Sequence, residues 1–369
     1  TAWLVEEKSI PFTALELRFR GGTSLDLPGK RGAVNLMTGL IEEGAGDMDA
    51  RVYTRKLDSL AASFDYDVSD DTLSISARFL TENRDEVIDL LHTTLHQPRF
   101  DQDAIDRVRA QVISGLKSDA KDPGDIAGET FAAMAYGAHP YGSNGKGTLE
   151  SVAALTRADI VAAHQGVLVR DQLFVSAVGD ITAEELGVLL DKLLADLPAS
   201  GRPIPGKVDL QIKGGLTVVD FDTPQSSVLF GQRGIAQNDD DFFAAHLMNY
   251  ILGGGSFESR LMEEVRVKRG LTYGVSSYLV SKDLAAVYLG SVASGNDRVA
   301  EAIEVIRAEW SKLATNGVTE QELQGAKTYL TGAYPLRFDG NEQIAGILVG
   351  MQMWGLPIDY IAPRNDKVN

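Results

Sequence analysis

A repeat of the chain within itself most limits what this sequence can fold into. Val34–Gly44 (VNLMTGLIEEG) returns 211 residues later as Ala245–Gly255 (AHLMNYILGGG). Three of the eleven positions are identical, Leu36/Leu247, Met37/Met248 and Gly44/Gly255, and the apolar pair Leu40-Ile41 is matched by Ile251-Leu252. Each copy follows a strand-like run (TALELRF, then SSVLFGQ) and precedes a helix, paired strands and further helices. Between them lies Pro198–Gly206 (PASGRPIPG), a linker with three prolines and two glycines. A chain of 369 residues also exceeds what one core usually serves. The reading is α+β, two homologous domains, each a mostly antiparallel sheet packed with helices. The N-terminal domain spans 1–200. The C-terminal one spans 207–369 and is apparently cut short, since nothing in it matches the strand and helix expected at Gln172–Leu197. Chance likeness between two amphipathic helices is the competing account.

Within the first copy, Phe12–Arg20 alternates like a strand with one wet face, and Ala33–Glu43 and Arg51–Ala62 read as helices. Phe64–Asp67 and Thr72–Phe79 read as paired strands. Helices are expected over Asn83–His96, ending before Pro98, and over Asp103–Lys117, ending before Pro123. Asp122-Pro-Gly and His139–Thr148 look like loops. Helix Arg157–Gln165, strand Gln172–Val178 and helix Ala183–Leu197 complete the unit.

Composition excludes several partners. A net charge of -17 and a pI near 4.7 oppose binding to nucleic acid or an anionic membrane, although they would suit basic peptides. There is no cysteine, hence no disulfide, thiolate metal site or cysteine nucleophile. Ile344–Ile358 is the best membrane candidate, but at 15 residues, interrupted by Gln352, it reads as a buried helix in which Gly346 and Gly350 allow close approach. No basic, then apolar, leader is visible, and the abrupt start at Thr1 suggests a processed end.

Several short motifs fail on inspection. Gly142–Thr148 (GSNGKGT) resembles a phosphate loop, but Pro140 and Gly147 stand where Gly and Ser/Thr are needed. His92 and His96 share a helical face at zinc-like spacing, yet no general-base Glu accompanies them and the helix ends at Pro98. His139, His164 and His246 read as loop, surface and core residues. Asp239–Asp241 looks like an acidic first helical turn.

One stretch carries chemistry. Leu252–Leu261 (LGGGSFESRL) leads into Arg266–Tyr273 (RVKRGLTY). This resembles the C-terminal-half signature of the pitrilysin/insulinase superfamily of inverted-motif zinc peptidases, in which an Arg is followed seven residues later by a Tyr. Gly21-Gly22, Gly29–Gly32 (GKRG), His139-Pro-Tyr and Val178-Gly-Asp agree with it in order, so the likeness runs along the whole chain. It implies a half-clamshell of two homologous domains, closest to the processing-peptidase branch. Active members carry His-x-x-Glu-His on the first helix, with two zinc ligands and a base. Here Asn35 and Gly39 fall at the histidine positions and Thr38 at the glutamate, while Gly115 lies nearest the place of the third ligand; no Glu occurs between Glu86 and Glu129. All these metal positions are degenerate.

The resemblance therefore implies a non-catalytic subunit of a heterodimeric zinc endopeptidase. This chain would hold no cofactor, and zinc would sit in a homologous partner acting on unfolded peptides, with no nucleic acid or membrane involved. Tyr273 would donate to the oxyanion and Arg266 would orient the peptide carbonyl or support Tyr273. Read alone, the pair is better taken as a solvated helix residue, Arg266, and a core aromatic, Tyr273; the surrounding resemblance reverses that preference. Gly253, Gly254 and Gly255 are expected either to contact substrate or simply to cap a helix. A structural core-type subunit and a peptide-binding homodimer are the alternatives. A cysteine-free chain with a trimmed start suits the periplasm, with the cytoplasm as alternative.

Overall fold

The alternation of FTALELRFR puts Leu15, Leu17 and Phe19 on one side of a strand, and all three are fully buried in the first core. The computed structural model describes residues 1–369. In chain order it runs β1 (Ala2–Glu6), β2 (Phe12–Arg20), α1 (Ala33–Thr38), β3 (Gly44–Ala45), β4 (Met48–Asp49), α2 (Ala50–Ser59), β5 (Ser63–Val68) and β6 (Thr72–Leu80). It continues through α3 (Arg84–His96), α4 (Gln102–Asp119), α5 (Pro123–Tyr136), α6 (Leu149–Ala154), α7 (Arg157–Val167), β7 (Leu173–Gly179) and α8 (Ala183–Leu194). The second copy holds β8 (Gln225–Arg233), α9 (Phe242–Asn249), β9 (Val275–Ser281), β10 (Ala286–Gly295), α10 (Val299–Asn316), α11 (Glu320–Ala333), α12 (Asn341–Met353) and α13 (Arg364–Val368).

Two packed units emerge, and neither is one continuous stretch. The first comprises Thr1–Lys117, Ser143–Pro205 and Arg337–Ile358; the second comprises Ser118–Gly142, Gly206–Leu336 and Asp359–Asn369. This differs from the expected division at 1–200 and 207–369. The linker does mark one junction, but Ser118–Gly142 and Arg337–Ile358 each belong with the other copy's sheet. A boundary read along the sequence cannot show such an exchange, because the helices are covalently neighbours of one unit and pack in the other.

The first sheet has the order β1-β7-β2-β6-β5, with β1 parallel to β7 and every other pair antiparallel. The second, β8-β10-β9, is antiparallel throughout and reproduces the β2-β6-β5 part of the first. The repeated segment begins in α1 after β2 and in α9 after β8, the same place in both topologies. α1 is shorter than the expected Ala33–Glu43, ending at Thr38 with a turn before β3.

α5 starts at Pro123, inside the Asp122-Pro-Gly sequence that reads as a loop. Pro123 occupies its first turn, and the Asp122 carboxylate accepts from the N–H groups of Gly124 and Asp125 at 2.7 and 3.0 Å. Asp-Pro-Gly has the composition of a turn, but the same residues start a helix when Asp caps it and Pro stands where no donor is required. In the second unit α5 lies on β8, and its Ala135 and Tyr136 join Tyr141, Leu210 and Val287 in a small core.

α12 covers the other face of β2 and β7 in the first unit. The helix buries Ala345, Leu348, Val349 and Met351 and also makes polar contacts with the strands. Ser176 Oγ donates to the Ala345 carbonyl at 2.6 Å, Gln352 Nε2 to that of Val175 at 2.7 Å, and Arg20 to that of Met353. The Arg18 guanidinium lies against Gly346 and Gly350, where added Cβ atoms would stand 3.6 and 3.7 Å from its terminal nitrogens. Both distances are ordinary van der Waals contacts, so a methyl group would still fit there and only a larger side chain would press on the cation. No helix is long and apolar enough to cross a membrane.

Candidate functional site

The chemistry-bearing stretch lies within the second unit, and its shape starts with glycine packing. α9 runs on into a wider π-helical turn over Tyr250–Gly254, closed by the Gly255 N–H donating to the Tyr250 carbonyl at 2.8 Å. A Cβ on Gly253 would stand 2.4 Å from Ser277 Oγ and 2.8 Å from Ser277 N, so no side chain fits against β9 there. Ser277 Oγ donates to Asn249 Oδ1 at 2.9 Å and lies 3.2 Å from the Tyr288 hydroxyl; burial pushes the Tyr288 phenol up to about 12. Gly253 and Gly255 are buried and Gly254 is exposed. Close helix–strand packing accounts for Gly253 without a substrate.

Beyond Gly255, Ser256 takes a left-handed φ of +51°, unusual for a residue other than glycine, and presents Phe257 at 62% exposure. A second π-helical turn spans Met262–Val267, closed by the Lys268 N–H on the Glu263 carbonyl at 2.9 Å. Leu261, Met262 and Val265 anchor it in the second core. Such turns recur at functional sites because they re-aim one side chain. Here that side chain is Arg266, half-buried, its guanidinium carbon 4.7 Å from the centre of the Phe257 ring. The Glu264 carboxylate accepts from Lys268 Nζ at 2.6 Å and Arg269 Nη1 at 2.7 Å, and these bonds hold its pKa below the usual range.

The chain then turns at Gly270, at φ +58°, with its N–H on the Arg266 carbonyl at 2.8 Å. Leu271 is buried and donates to the Val265 carbonyl at 2.9 Å. Thr272 Oγ1 lies 2.6 Å from the Ala293 carbonyl and 2.8 Å from that of Gly274. Tyr273 follows at 85% exposure, so it is not the core aromatic that its sequence alone also permitted. A fixed backbone therefore offers a phenol to solvent, one turn after an arginine held on an aromatic face. Both groups donate hydrogen bonds, the property needed to hold a carbonyl oxygen that gains negative charge.

Over 362 residues the chain is 30% identical to the non-peptidase homolog YmxG of Helicobacter pylori, covering 96% of this chain and 82% of that protein. The chain belongs to the M16 peptidase family. Residues 154–330 match the family model described as Peptidase M16 inactive domain. An uncharacterized zinc protease of Mycobacterium leprae is 27% identical over 308 residues, covering 82% of this chain and 68% of that one. Among solved structures, a peptidase M16 inactive domain from Pseudomonas fluorescens superposes with a TM-score of 0.92 at 27% identity, covering 100% of this chain and 87% of that one.

Set against M16 chemistry, the first unit offers no ligand set at the degenerate positions. Thr38 is buried and its hydroxyl is used on the Val34 carbonyl at 2.8 Å. Gly39 and Gly115 have no side chain, and a Cβ on Gly39 would stand 3.3 Å from Val108. That leaves the half-buried Asn35, a neutral amide, as the one side chain available to face an ion. Nearby, burial raises the pKa of Glu42, and Glu43 is paired with Arg107. No group of three or more His, Asp or Glu side chains is placed to hold a metal. His92 and His96 do meet, with ring centres 4.3 Å apart, but His92 faces Asp196 at 3.4 Å and His96 Nε2 bonds the Leu193 carbonyl at 2.9 Å.

The structure thus joins Arg266 and Tyr273 on one braced segment and adds Phe257 beside Arg266. Phe257 could have been found as an exposed-type aromatic after a glycine run. The residues that brace the segment from β10 and the start of α10 carried no sequence signal, since their partners are backbone carbonyls some twenty residues away or more.

Proposed function

We propose that this chain is the non-catalytic subunit of a heterodimeric M16 zinc endopeptidase. In this reading a homologous, zinc-bearing partner supplies the metal and the attacking water. The present chain supplies a wall of the peptide chamber and two hydrogen-bond donors. Tyr273 stabilises the oxyanion that forms when water adds to the scissile carbonyl, and Arg266 holds the adjacent peptide carbonyl. The observation that carries the proposal is Tyr273 itself, an 85% exposed tyrosine on a backbone fastened on both sides. A scaffold has no need to fasten so firmly a backbone that carries a phenol into water.

The decisive experiment mixes the chain with a homologous subunit carrying His-x-x-Glu-His, confirms a 1:1 complex by size, and follows cleavage of an unstructured peptide. Tyr273→Phe keeps the ring and removes one donor, so assembly should persist while turnover falls about a hundredfold or more. Wild-type turnover in that complex would transfer the role to a structural subunit. A periplasmic setting is part of the proposal and is tested by cell fractionation.

A further inference from the structure

We propose that Arg298 is a positioning residue for Tyr273, an inference that rests on the subunit reading above. Arg298 is exposed and lies immediately before α10. Its guanidinium spans two consecutive carbonyls of the site segment, Nη2 to that of Arg269 and Nη1 to that of Gly270, each at 2.9 Å. These carbonyls flank the left-handed turn at Gly270, the point where the chain leaves the Arg266 helical turn and heads for Tyr273. A planar fork with fixed donor directions suits this double contact, whereas an ammonium satisfies only one carbonyl well.

Two further side chains work with it from β10 and from the segment itself. Ser294 Oγ donates to the Leu271 carbonyl at 2.6 Å, and Thr272 Oγ1 reaches the Ala293 carbonyl at 2.6 Å. From the other side, Arg269 Nη1 donates to the Glu264 carbonyl at 2.7 Å. The carbonyls of residues 269, 270 and 271 are thereby all held by side chains, while the Tyr273 side chain makes no hydrogen bond or ring contact. Its hydroxyl can be aimed only through its backbone. Arg298 provides two of the three bonds and acts on the turn that sets the direction of approach. Misplacing a catalytic donor by about 1 Å costs up to about a hundredfold in rate, so bracing of this kind has a catalytic consequence.

The test uses the intact chain, with Arg298→Gln and Arg298→Lys. Amide hydrogen exchange at Gly270, Leu271 and Gly274 should accelerate about tenfold in Arg298→Gln, with exchange in β10 and the melting temperature unchanged. Arg298→Lys should restore part of the protection. In complex with the zinc-bearing subunit, Arg298→Gln should lower kcat about tenfold and leave KM within about twofold, since the donor is misaimed but peptide contacts persist. Unchanged exchange at the three amides would overturn the inference, as would a general loss of protection and melting temperature, which marks a merely structural role. Loosened exchange combined with wild-type turnover of Tyr273→Phe would instead overturn the subunit reading and leave Arg298 a loop brace.

Discussion

Arg260 and Glu322 meet through two parallel bonds, Nε to Oε1 at 2.6 Å and Nη2 to Oε2 at 2.7 Å. The pair joins the segment before Arg266 to the first turn of α11. Glu322 also closes the capping box of that helix, accepting from the Thr319 N–H at 2.7 Å, and Arg260 reaches the Gly317 carbonyl at 3.2 Å. One ion pair thus ties the candidate site to the α10–α11 hairpin.

Glu322→Gln should therefore destabilise the second unit by about 1–3 kcal/mol, read as a lower urea midpoint. The Arg260 guanidinium holds the Glu322 carboxyl down at about 2. A depressed carboxylate contributes stability that is complete above its unfolded value and is lost as pH falls through the folded one. The wild-type advantage over Glu322→Gln should persist at pH 5 and shrink only towards pH 2. An advantage already gone at pH 5 would mean that the carboxylate is not held by Arg260.

His164 has the opposite chemistry and an effect nearer neutrality. Burial lowers its pKa to about 4, with Nε2 bonded to the Leu95 carbonyl at 2.9 Å and the Phe100 ring edge-on at 5.8 Å. Being depressed, this histidine stays neutral in the folded chain while the unfolded chain takes up a proton below about 6.5. Stability should fall as pH drops from about 6.5 to 4, with a slope of at most about 1.4 kcal/mol per pH unit from this group. Comparing urea midpoints at pH 7 and 5, the loss should be smaller in His164→Gln; an equal loss would assign it to other groups.

At the seat of α12, Gly350→Leu should press a side chain onto the Arg18 guanidinium, whose nitrogen is 3.7 Å from the position of an added Cβ. The expected cost is about 1–3 kcal/mol from overpacking. Because α12 belongs to the first unit, hydrogen exchange should increase in β2 and β7 while β10 keeps its protection. Uniform loss across both sheets would contradict this assignment.

Metal content separates the two subunits of the proposed enzyme. With Thr38 hydrogen-bonded to its own helix and glycine at positions 39 and 115, the purified chain should retain sub-stoichiometric zinc after dialysis, by elemental analysis. Peptide cleavage by the chain alone should match buffer. A tightly held equivalent of zinc would sink this expectation and direct attention to His92 and His96.

By itself the sequence determined much of this protein's architecture and the location of its candidate chemistry. The duplicated helix start, the period-two strands and the proline-rich linker are local patterns, and local patterns set the order β2-α1-β5-β6 and its echo β8-α9-β9-β10. The seven-residue spacing of Arg266 and Tyr273 likewise survives in any conformation. Tertiary structure decided what depends on distant partners. Asp122-Pro-Gly starts a helix because its cap is satisfied and β8 receives its apolar side; α12 joins the first sheet by burying Ala345, Leu348, Val349 and Met351 and by hydrogen bonds with Ser176, Val175 and Arg20. Gly253 is small because Ser277 lies against it, and Tyr273 stands in solvent because its backbone neighbours are fastened from β10 and Arg298. A hydrogen bond to a backbone carbonyl leaves no trace in the acceptor's residue type, so these relationships become visible only when the chain is folded.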